Sequence, residues 1–145
     1  METSLKAGDC RSFCPVANAL DVLGDRWSLL VIRDLMFMKK HEFGEFMQGP
    51  ERIATNILTD RLHCLQECGI IDCRPHPSHK KKKLYYLTPK GKALLPVLVE
   101  LIIWGGTYRA SPQMPKAQFS KISRNPKKFM QSVLRDLQAW ESGNL

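Results

Sequence analysis

Cys14 stands directly before Pro15, and a proline at that place favours the first position of a helix. A thiol at the start of a helix faces free backbone N–H groups and the positive end of the helix dipole. Both stabilise a thiolate and raise its reactive fraction at neutral pH. Lys6 and Arg11 would add positive charge, and Cys10 is a candidate resolving thiol. The chemistry predicted for Cys14 is oxidation or alkylation, and the alternative is an inert, buried thiol.

The other three cysteines are Cys64, Cys68 and Cys73. Cys64 and Cys68 are four residues apart and share a helix face, so three thiols with His76 or His79 folded back are a conceivable zinc site. The sequence has no CxxC pair, however, and exposed thiols without a metal are the favoured interpretation. We predict no metal and no cofactor. Five cysteines are an odd number, and residues 1–13 lack the apolar segment of a signal peptide, so we expect reduced thiols and a cytoplasmic protein.

An enzyme is difficult to assemble from the remaining motifs. The stretch "HEFGE" begins like the HExxH zinc motif but has Glu45 where the second histidine belongs. The stretch "PKGKA" has a Gly-Lys pair without the upstream glycine of a P-loop, and no GxSxG occurs. We therefore predict that the protein is not an enzyme. A thiol enzyme centred on Cys14 stays open as an alternative, which catalytic turnover of peroxide or disulfide would reveal.

Positive charge is concentrated in one stretch of the chain. The sequence has 22 Lys or Arg against 14 Asp or Glu, a net charge of +8 over 145 residues. Between Arg74 and Lys92 there are seven basic residues and no carboxylate, including four consecutive lysines at positions 80–83. A one-signed patch of this kind indicates a polyanionic partner. The alternative is an ordinary solvated basic face.

Helical periodicity predicts the elements that precede the lysines. A short helix over 15–23 ends at Gly24, and Asp25 is placed to cap a nearly all-apolar helix over 26–38. A brief helix over 41–48 and a stronger one over 54–68 follow, the latter with an inward stripe of Leu58, Leu62 and Leu65. The last two are joined by a short Gly-Pro turn and form a candidate helix-turn-helix.

The lysines lie between two short segments with strand-forming residues, "IIDCRP" and "KLYYLT", which predict a β-hairpin with the basic run at its tip. Thr88-Pro89 predicts the start of one helix that continues to about residue 105. Pro96 and Glu100 interrupt its apolar run, so no membrane span is expected. Residues 107–125 are predicted to be a connector, and Asn125-Pro126 opens a last amphipathic helix. The predicted fold is mainly α with a β-hairpin, a winged helix-turn-helix.

Four stretches carry a resemblance to a known family: "CPVANALDVLGDRWSLLVIRDLM", "FGEF", "ILTDRLHCLQECGII" and "LYYLTPKGKALLPVLVELIIWG". In this order and spacing the chain resembles the HxlR-type winged-helix transcriptional regulators, relatives of the MarR type. The resemblance implies a homodimer that binds operator DNA, and we expect a repressor. It also implies an N-terminal arm over 1–13, a winged domain over 14–106, and a connector and dimerisation helix over 107–145.

The helix over 54–68 is the expected reading helix, because a helix fits the major groove and a basic wing can follow the phosphates. Ala54 stands where the family often has serine, which leaves the capping of its first turn open. Helix capping and ordinary exposure are the alternative roles of the polar candidates. The candidate DNA contacts on the helix, before it and on the wing are Arg52, Thr55, Asn56, Thr59, Arg61, His79, Lys80, Lys81, Lys82 and Lys83.

The family dimerises through its first and C-terminal helices, and the alternative for each apolar candidate is packing within the chain. The corresponding candidates are Val16, Leu20, Leu23, Val97, Leu101, Trp104, Phe129, Val133, Leu137 and Trp140. Some HxlR-type regulators sense oxidants or electrophiles through a cysteine at the position of Cys14, so an oxidant or a small-molecule effector is expected. A basic RNA-binding or nucleoid-binding module without operator specificity is the second function to consider.

Overall fold

Two compact units make up the chain in the computed structural model, which describes residues 12–109 and 114–145. The first unit runs to Gly91 and the second begins at Lys92. The functional division at residue 106 expected from the sequence stays a prediction. Among the described residues, no helix combines the length and the apolar character that crossing a membrane requires.

The first unit holds four helices and a hairpin, with a short helix at its end. The elements are α1 (Pro15–Leu23), α2 (Ser28–Phe37), α3 (Phe43–Met47), α4 (Thr55–Glu67), β1 (Ile71–Pro75), β2 (Lys83–Leu87) and α5 (Pro89–Lys92). The second unit consists of α6 (Leu95–Tyr108), α7 (Lys116–Arg124) and α8 (Pro126–Asn144).

Helix α2 is the central element of the first unit, as its nearly all-apolar sequence predicts. It packs against α1, α4 and β2, and both Ile32 and Leu35 are completely buried. The predicted cap is confirmed, because the Asp25 carboxylate accepts hydrogen bonds from the backbone N–H groups of Trp27 (2.8 Å) and Ser28 (2.9 Å). This cap satisfies donors that the first helical turn cannot pair internally.

The helix-turn-helix consists of α3, the turn at residues 48–54, and α4. A capping box between Glu42 and Glu45 starts α3, and this reciprocal arrangement satisfies two otherwise free backbone donors. Leu58, Leu62 and Leu65 are buried along one side of α4, as the predicted stripe requires. The observed helix begins and ends one residue inside the expected limits of 54 and 68.

The hairpin is confirmed as a two-stranded antiparallel sheet that pairs Ile71 with Leu87 and Pro75 with Lys83. At its base, the Thr88 hydroxyl donates to the carbonyl oxygen of Gly69 (2.5 Å) and accepts from the N–H of Gly91 (3.2 Å). Thr88 therefore caps α5, as the Thr-Pro pair predicts. The lysines lie at the tip of an ordered hairpin rather than on a tail.

One continuous helix from Pro89 to residue 105 is a wrong prediction. The structure has two helices there, α5 and α6, separated by a turn at residues 93 and 94. Pro96 gives the physical reason. Its ring has no N–H and would clash with the preceding helical turn, whereas the first turn of a new helix tolerates it.

The connector predicted over 107–125 is wrong for the residues that form α7. Pro115 precedes this helix, and its buried Ile122 and half-buried Phe119 give it an inner face. Helix α6 also continues through Gly106, where the Phe119 ring would lie 2.2 Å from an added Cβ atom. Two apolar residues in a polar nine-residue stretch were too weak a pattern to predict the helix from sequence.

Substitution of Gly91 tests the close packing at the end of the first unit. A Cβ atom at Gly91 would lie 2.2 Å from the backbone oxygen of Ile70, which cannot move as a flexible side chain can. We predict that Gly91→Ala lowers the free energy of unfolding by about 1–3 kcal/mol in urea denaturation followed by circular dichroism. Gly44→Ala is the matched control, because no atom of the described residues lies within 4 Å of its added Cβ. Equal stability of the two variants would contradict the packing described.

Candidate nucleic-acid interface

The outward face of α4 is polar and exposed to solvent. Thr55, Asn56 and Thr59, the three predicted base-reading residues on this helix, are all exposed, while the leucine stripe occupies the opposite side. The Thr59 hydroxyl donates to the backbone oxygen of Thr55 at 2.9 Å, so its oxygen remains able to accept. The structure thus brings these three residues together on one accessible helix face near the helix N-terminus.

No side chain of the described residues caps the start of α4. Ala54 occupies the capping position and has no hydrogen-bonding side chain, as its departure from the family's serine suggests. The helix-capping alternative for Asn56 and Thr59 is therefore not what the structure shows. The backbone N–H groups in the first turn of α4 lie beside the exposed hydroxyl and amide groups of the outward face.

Arg61 lies on the flank of α4 and does not share the outward face. Its guanidinium pairs with Asp60 and lies 3.4 Å from Asp25, the residue that caps α2. Burial on its own would raise the pKa of the Asp25 carboxyl, but hydrogen bonds from Ser28 and Trp27 and the charge of Arg61 lower it. Arg61 thus links α4 to the residue that caps α2, and its predicted contact with a phosphate or a guanine stays a prediction.

His63 is a residue of the outward face that the sequence interpretation missed. It follows Thr59 by one helical turn, is exposed, and lies 3.2 Å from the Glu67 carboxylate. The signal was present in the four-residue spacing of Thr55, Thr59 and His63, which places all three on one side of a helix.

Backbone pairing with the segment before α3 fixes the hairpin. The N–H of Tyr85 donates to the carbonyl oxygen of His41 at 2.8 Å. In return the His41 ring nitrogen Nδ1 lies 2.9 Å from the carbonyl oxygen of Tyr85. A carbonyl can only accept, so Nδ1 carries the proton. His41 is buried, and the hairpin is therefore held to the helix-turn-helix through an interior contact.

Glu42 anchors the tip of the hairpin. Its carboxylate lies 3.1 Å from Nε2 of His76 and 3.4 Å from Nζ of Lys82. The other ring nitrogen of His76 accepts from the backbone N–H of Ser78 at 3.0 Å. Because Nδ1 accepts, Nε2 carries the hydrogen that faces Glu42. The sequence interpretation missed this anchor, since 34 residues separate Glu42 from His76 and no local spacing links them.

The remaining wing lysines are available to an external partner. Lys80, Lys81 and Lys83 are exposed, and no carboxylate of the described residues lies within 4 Å of them. His79 is exposed too, with its ring centroid 5.1 Å from that of His76. The wing thus presents three unpaired cations, and a fourth, Lys82, whose charge is shared with Glu42.

Arg52 lies in the turn that leads into α4. Its backbone has φ of 57°, in the left-handed region that few residues other than glycine adopt. Next to it, Glu51 accepts from Arg33 of α2 at 2.5 Å, and this hydrogen bond, ahead of the opposing effect of burial, lowers the pKa of the Glu51 carboxyl. The turn is therefore tied to α2 while the Arg52 side chain is exposed beside the outward face of α4.

Cys14 is exposed at the position that precedes α1, so the alternative of a buried thiol is wrong. Its carbonyl oxygen accepts from the N–H of Asn18 at 3.1 Å, and its own N–H donates to the Ser12 hydroxyl at 3.1 Å. Cys10, Lys6 and Arg11 lie outside the described residues.

The cysteines beyond α1 are half-buried, so the expectation of exposed thiols is wrong for them. Burial, followed by the negative charge of Asp60, raises the pKa of the Cys64 thiol, which lowers its thiolate fraction at neutral pH. The Cys73 sulfur lies 3.3 Å from the Gln66 amide nitrogen. Within residues 12–109 and 114–145, no group of three or more His, Cys, Asp or Glu is arranged to hold a metal ion.

Several apolar side chains face solvent in each unit. On α1, Val16 is 66% exposed and Leu20 57%, whereas Leu23 is half-buried. On α6, Val97, Leu101 and Trp104 are exposed, and the Trp104 ring lies 5.6 Å from that of Tyr108. The candidates on α8 behave differently. Val133 and Leu137 are buried within the chain, which is the alternative role weighed for them, and Phe129 and Trp140 are half-buried.

A family model described as HxlR-like helix-turn-helix matches residues 22–113, which is more than half of the chain and includes α4 and the whole hairpin. The chain belongs to the HxlR-like helix-turn-helix family. Family and fold therefore agree with the resemblance drawn from the sequence.

Among HxlR-like relatives, Rv3095 of Mycobacterium tuberculosis, named as an HTH-type transcriptional regulator, is 34% identical over 100 residues. That alignment takes in 69% of this chain but only 62% of the relative, so the chain spans less than two-thirds of the relative's length. YodB of Bacillus subtilis, also named as an HTH-type transcriptional regulator, is 33% identical over 98 residues, 67% of this chain and 87% of YodB.

Solved structures give the same fold. The crystal structure of PA1607 has a TM-score of 0.63 at 42% identity and covers 72% of each chain. Reduced YodB has a TM-score of 0.55 at 31% identity and covers 68% of this chain and 96% of YodB. YodB has also been solved after diamide treatment and with bound quinone. Helices α7 and α8 lie beyond the residues that the HxlR-like model matches.

Proposed function

We propose that this HxlR-like protein is a homodimeric, sequence-specific DNA-binding transcriptional regulator that represses the genes it controls. One observation carries the proposal. Helix α4 buries Leu58, Leu62 and Leu65 and leaves Thr55, Asn56, Thr59 and His63 bare, with the basic wing in the same unit. This arrangement combines a helix that packs on the core and has a polar outer face with a cationic hairpin. Such a helix can recognise bases in the major groove, and such a hairpin can bind the phosphates beside it.

The roles of the side chains follow from their chemistry. Asn56 can contact adenine with two hydrogen bonds, the Thr55 hydroxyl can donate to base edges or accept from them, and the Thr59 hydroxyl can accept. His63 lies on the same face, one turn further along α4. Arg52, Lys80, Lys81 and Lys83 carry exposed charge suited to phosphate oxygens, and His79 adds a polar contact at the tip of the wing. Arg61, on the flank of α4 beside Asp25 and Asp60, would have to leave these carboxylates to reach a phosphate or a guanine.

Homodimerisation is proposed through the exposed apolar residues of α1 and α6. Val16, Leu20, Leu101 and Trp104 are exposed in a single chain, and contact with a second copy would remove their surface from water. A symmetric dimer also presents two copies of α4 to duplex DNA, so its site would be an inverted repeat with half-sites about one helical turn apart. Val133 and Leu137 act in the core of the second unit and are left out of this interface.

Cys14 is proposed as an oxidant-sensing or electrophile-sensing thiol. It is the exposed cysteine among those described, and it precedes α1, the helix proposed for the dimer interface. Modification at this point would disturb the arrangement of α1 and so of the two α4 helices. The states in which YodB has been solved, diamide-treated and quinone-bound, are in keeping with this kind of signal.

Substitutions on α4 and on the wing separate base reading from phosphate binding. Asn56→Ala should reduce the preference for the operator over bulk duplex by about 1–3 kcal/mol while preserving nonspecific affinity. Alanine at Lys80, Lys81 and Lys83 should weaken binding to every duplex and flatten the slope of log K against log salt by about 3 per wing. Fluorescence anisotropy across a salt series measures both quantities.

Lys82→Ala is the matched control for the wing, since Glu42 already shares the charge of Lys82. It should change the salt slope less than any of the other three lysines does. Asn56→Ala and the triple wing variant should change the affinities for operator and bulk duplex in different ways. If both variants change these affinities in the same way, the assignment of base recognition to α4 and of phosphate binding to the wing is contradicted.

Oxidation with diamide tests the sensing role. The parent protein should lose operator affinity after diamide treatment and regain it after reduction, whereas Cys14→Ser should bind equally well before and after. Cys64→Ser is the control that should respond as the parent does, because the Cys64 thiol is half-buried with a raised pKa. An unchanged diamide response of Cys14→Ser would exclude Cys14 as the sensor.

A further inference from the structure

The second unit holds most of the surplus charge of the protein. Residues 92–145 contain eight Lys or Arg against three Asp or Glu, which is five of the eight net positive charges in 54 of 145 residues. Six of those cations fall between Lys116 and Arg135, a stretch without a single carboxylate. The wing is therefore not the only strongly basic part of the molecule.

These six cations lie on the outer faces of two packed helices. On α7, Lys116, Lys121 and Arg124 are exposed, while Ile122 is buried on the opposite side. On α8, Lys127, Lys128 and Arg135 are exposed, while Val133 and Leu137 are buried. We call the six the α7–α8 basic surface. Asn125 caps α8 directly after α7, so Arg124 and Lys128 lie on either side of one tight corner.

None of the six is neutralised by the part of the chain that the structure describes. Lys92, in the same unit, has its Nζ 2.6 Å from the Glu141 carboxylate, whereas no described carboxylate lies within 4 Å of any member of the α7–α8 basic surface. Like charges this close in sequence repel one another, and an intrachain ion pair would have relieved that cost. The unpaired state favours an anionic partner outside the chain.

We propose that the α7–α8 basic surface is a second phosphate-binding surface, which contacts duplex DNA in addition to α4 and the wing. The inference rests on the proposed DNA-binding function. Because α7 and α8 lie beyond the residues matched by the family model, this contact is an addition to the shared winged helix. It adds affinity without adding base recognition, since cations on phosphates carry no sequence information.

The chemistry of this surface favours nucleic acid over an anionic membrane. Helices that lie in a membrane interface bury aromatic or large aliphatic residues beneath their basic face. The outer face of α8 has glutamines among its cations, Gln131 and Gln138, and one exposed leucine, Leu134. Glutamine amides suit phosphate and sugar oxygens.

The decisive experiment compares salt slopes on two duplexes, one limited to the operator and one extended by about one helical turn on each side. The variant replaces Lys116, Lys121, Arg124, Lys127 and Lys128 with glutamine. On the extended duplex its slope of log K against log salt should be shallower than that of the parent by about 2 to 4 per protomer. The short duplex shows whether the added contact falls within the operator or beside it. The matched control exchanges Lys for Arg and Arg for Lys at the same five positions and should retain the parent slope.

Each other outcome has a defined meaning. Equal slopes of parent and glutamine variant on the extended duplex overturn this inference. If the triple wing variant has a shallower slope in the same series, the proposed function stays intact. Failure of the parent to bind either duplex overturns both. Loss of binding to phosphatidylglycerol vesicles, with DNA slopes unchanged, assigns the surface to lipid and overturns the inference. Dissociation of the variant into monomers in sedimentation assigns it to the dimer interface and also overturns it.

Discussion

The burial of Leu58, Leu62 and Leu65 is the constraint on which the rest of the first unit depends. Each of these side chains contributes about 1.5–3 kcal/mol when it leaves water, and together they fix the rotation of α4 about its own axis. Once that rotation is fixed, the polar residues of α4 must lie on the side of the helix that faces solvent. Arg61 then falls on the flank, where Asp25 and Asp60 hold it.

A cationic hairpin must be held in place against its own repulsion. Four consecutive lysines favour an extended, mobile segment, yet here the strands pair on both sides of them. The buried contact between His41 and Tyr85 and the carboxylate of Glu42 at the tip tie the hairpin to the stretch before α3. The same stretch starts the helix-turn-helix, so one short segment positions both parts of the candidate interface.

Much of the fold could be predicted from sequence because its signals are local. Asp25, Thr88 and Asn125 mark helix starts, and the strand-forming residues on both sides of the lysines predict a hairpin. The predictions that were wrong concern elements that depend on weaker or longer-range effects. Pro96 restarts a helix where apolar periodicity continues, and α7 depends on two apolar residues that find their partners only in the folded unit.

The candidate site divides in the same way. The exposure of Thr55, Asn56 and Thr59 could be inferred from the leucine stripe alone, because a helix has a fixed period. The internal engagement of Arg61 and the pairing of Lys82 with Glu42 could not, since each depends on a partner placed by tertiary structure. Charge density predicts that a segment binds an anion, but it does not predict which of the cations are already paired with a carboxylate of the same chain.

We propose that this chain reads DNA sequence through α4, in two symmetric copies. Repeated selection from a pool of random duplexes, followed by sequencing, tests this proposal without knowledge of any target gene. We expect enrichment of an inverted repeat whose half-sites lie about one helical turn apart, and loss of that enrichment for Asn56→Ala. A pool that retains random sequence after selection, although the protein binds it, would contradict sequence-specific recognition and favour a basic module that binds nucleic acid by charge alone.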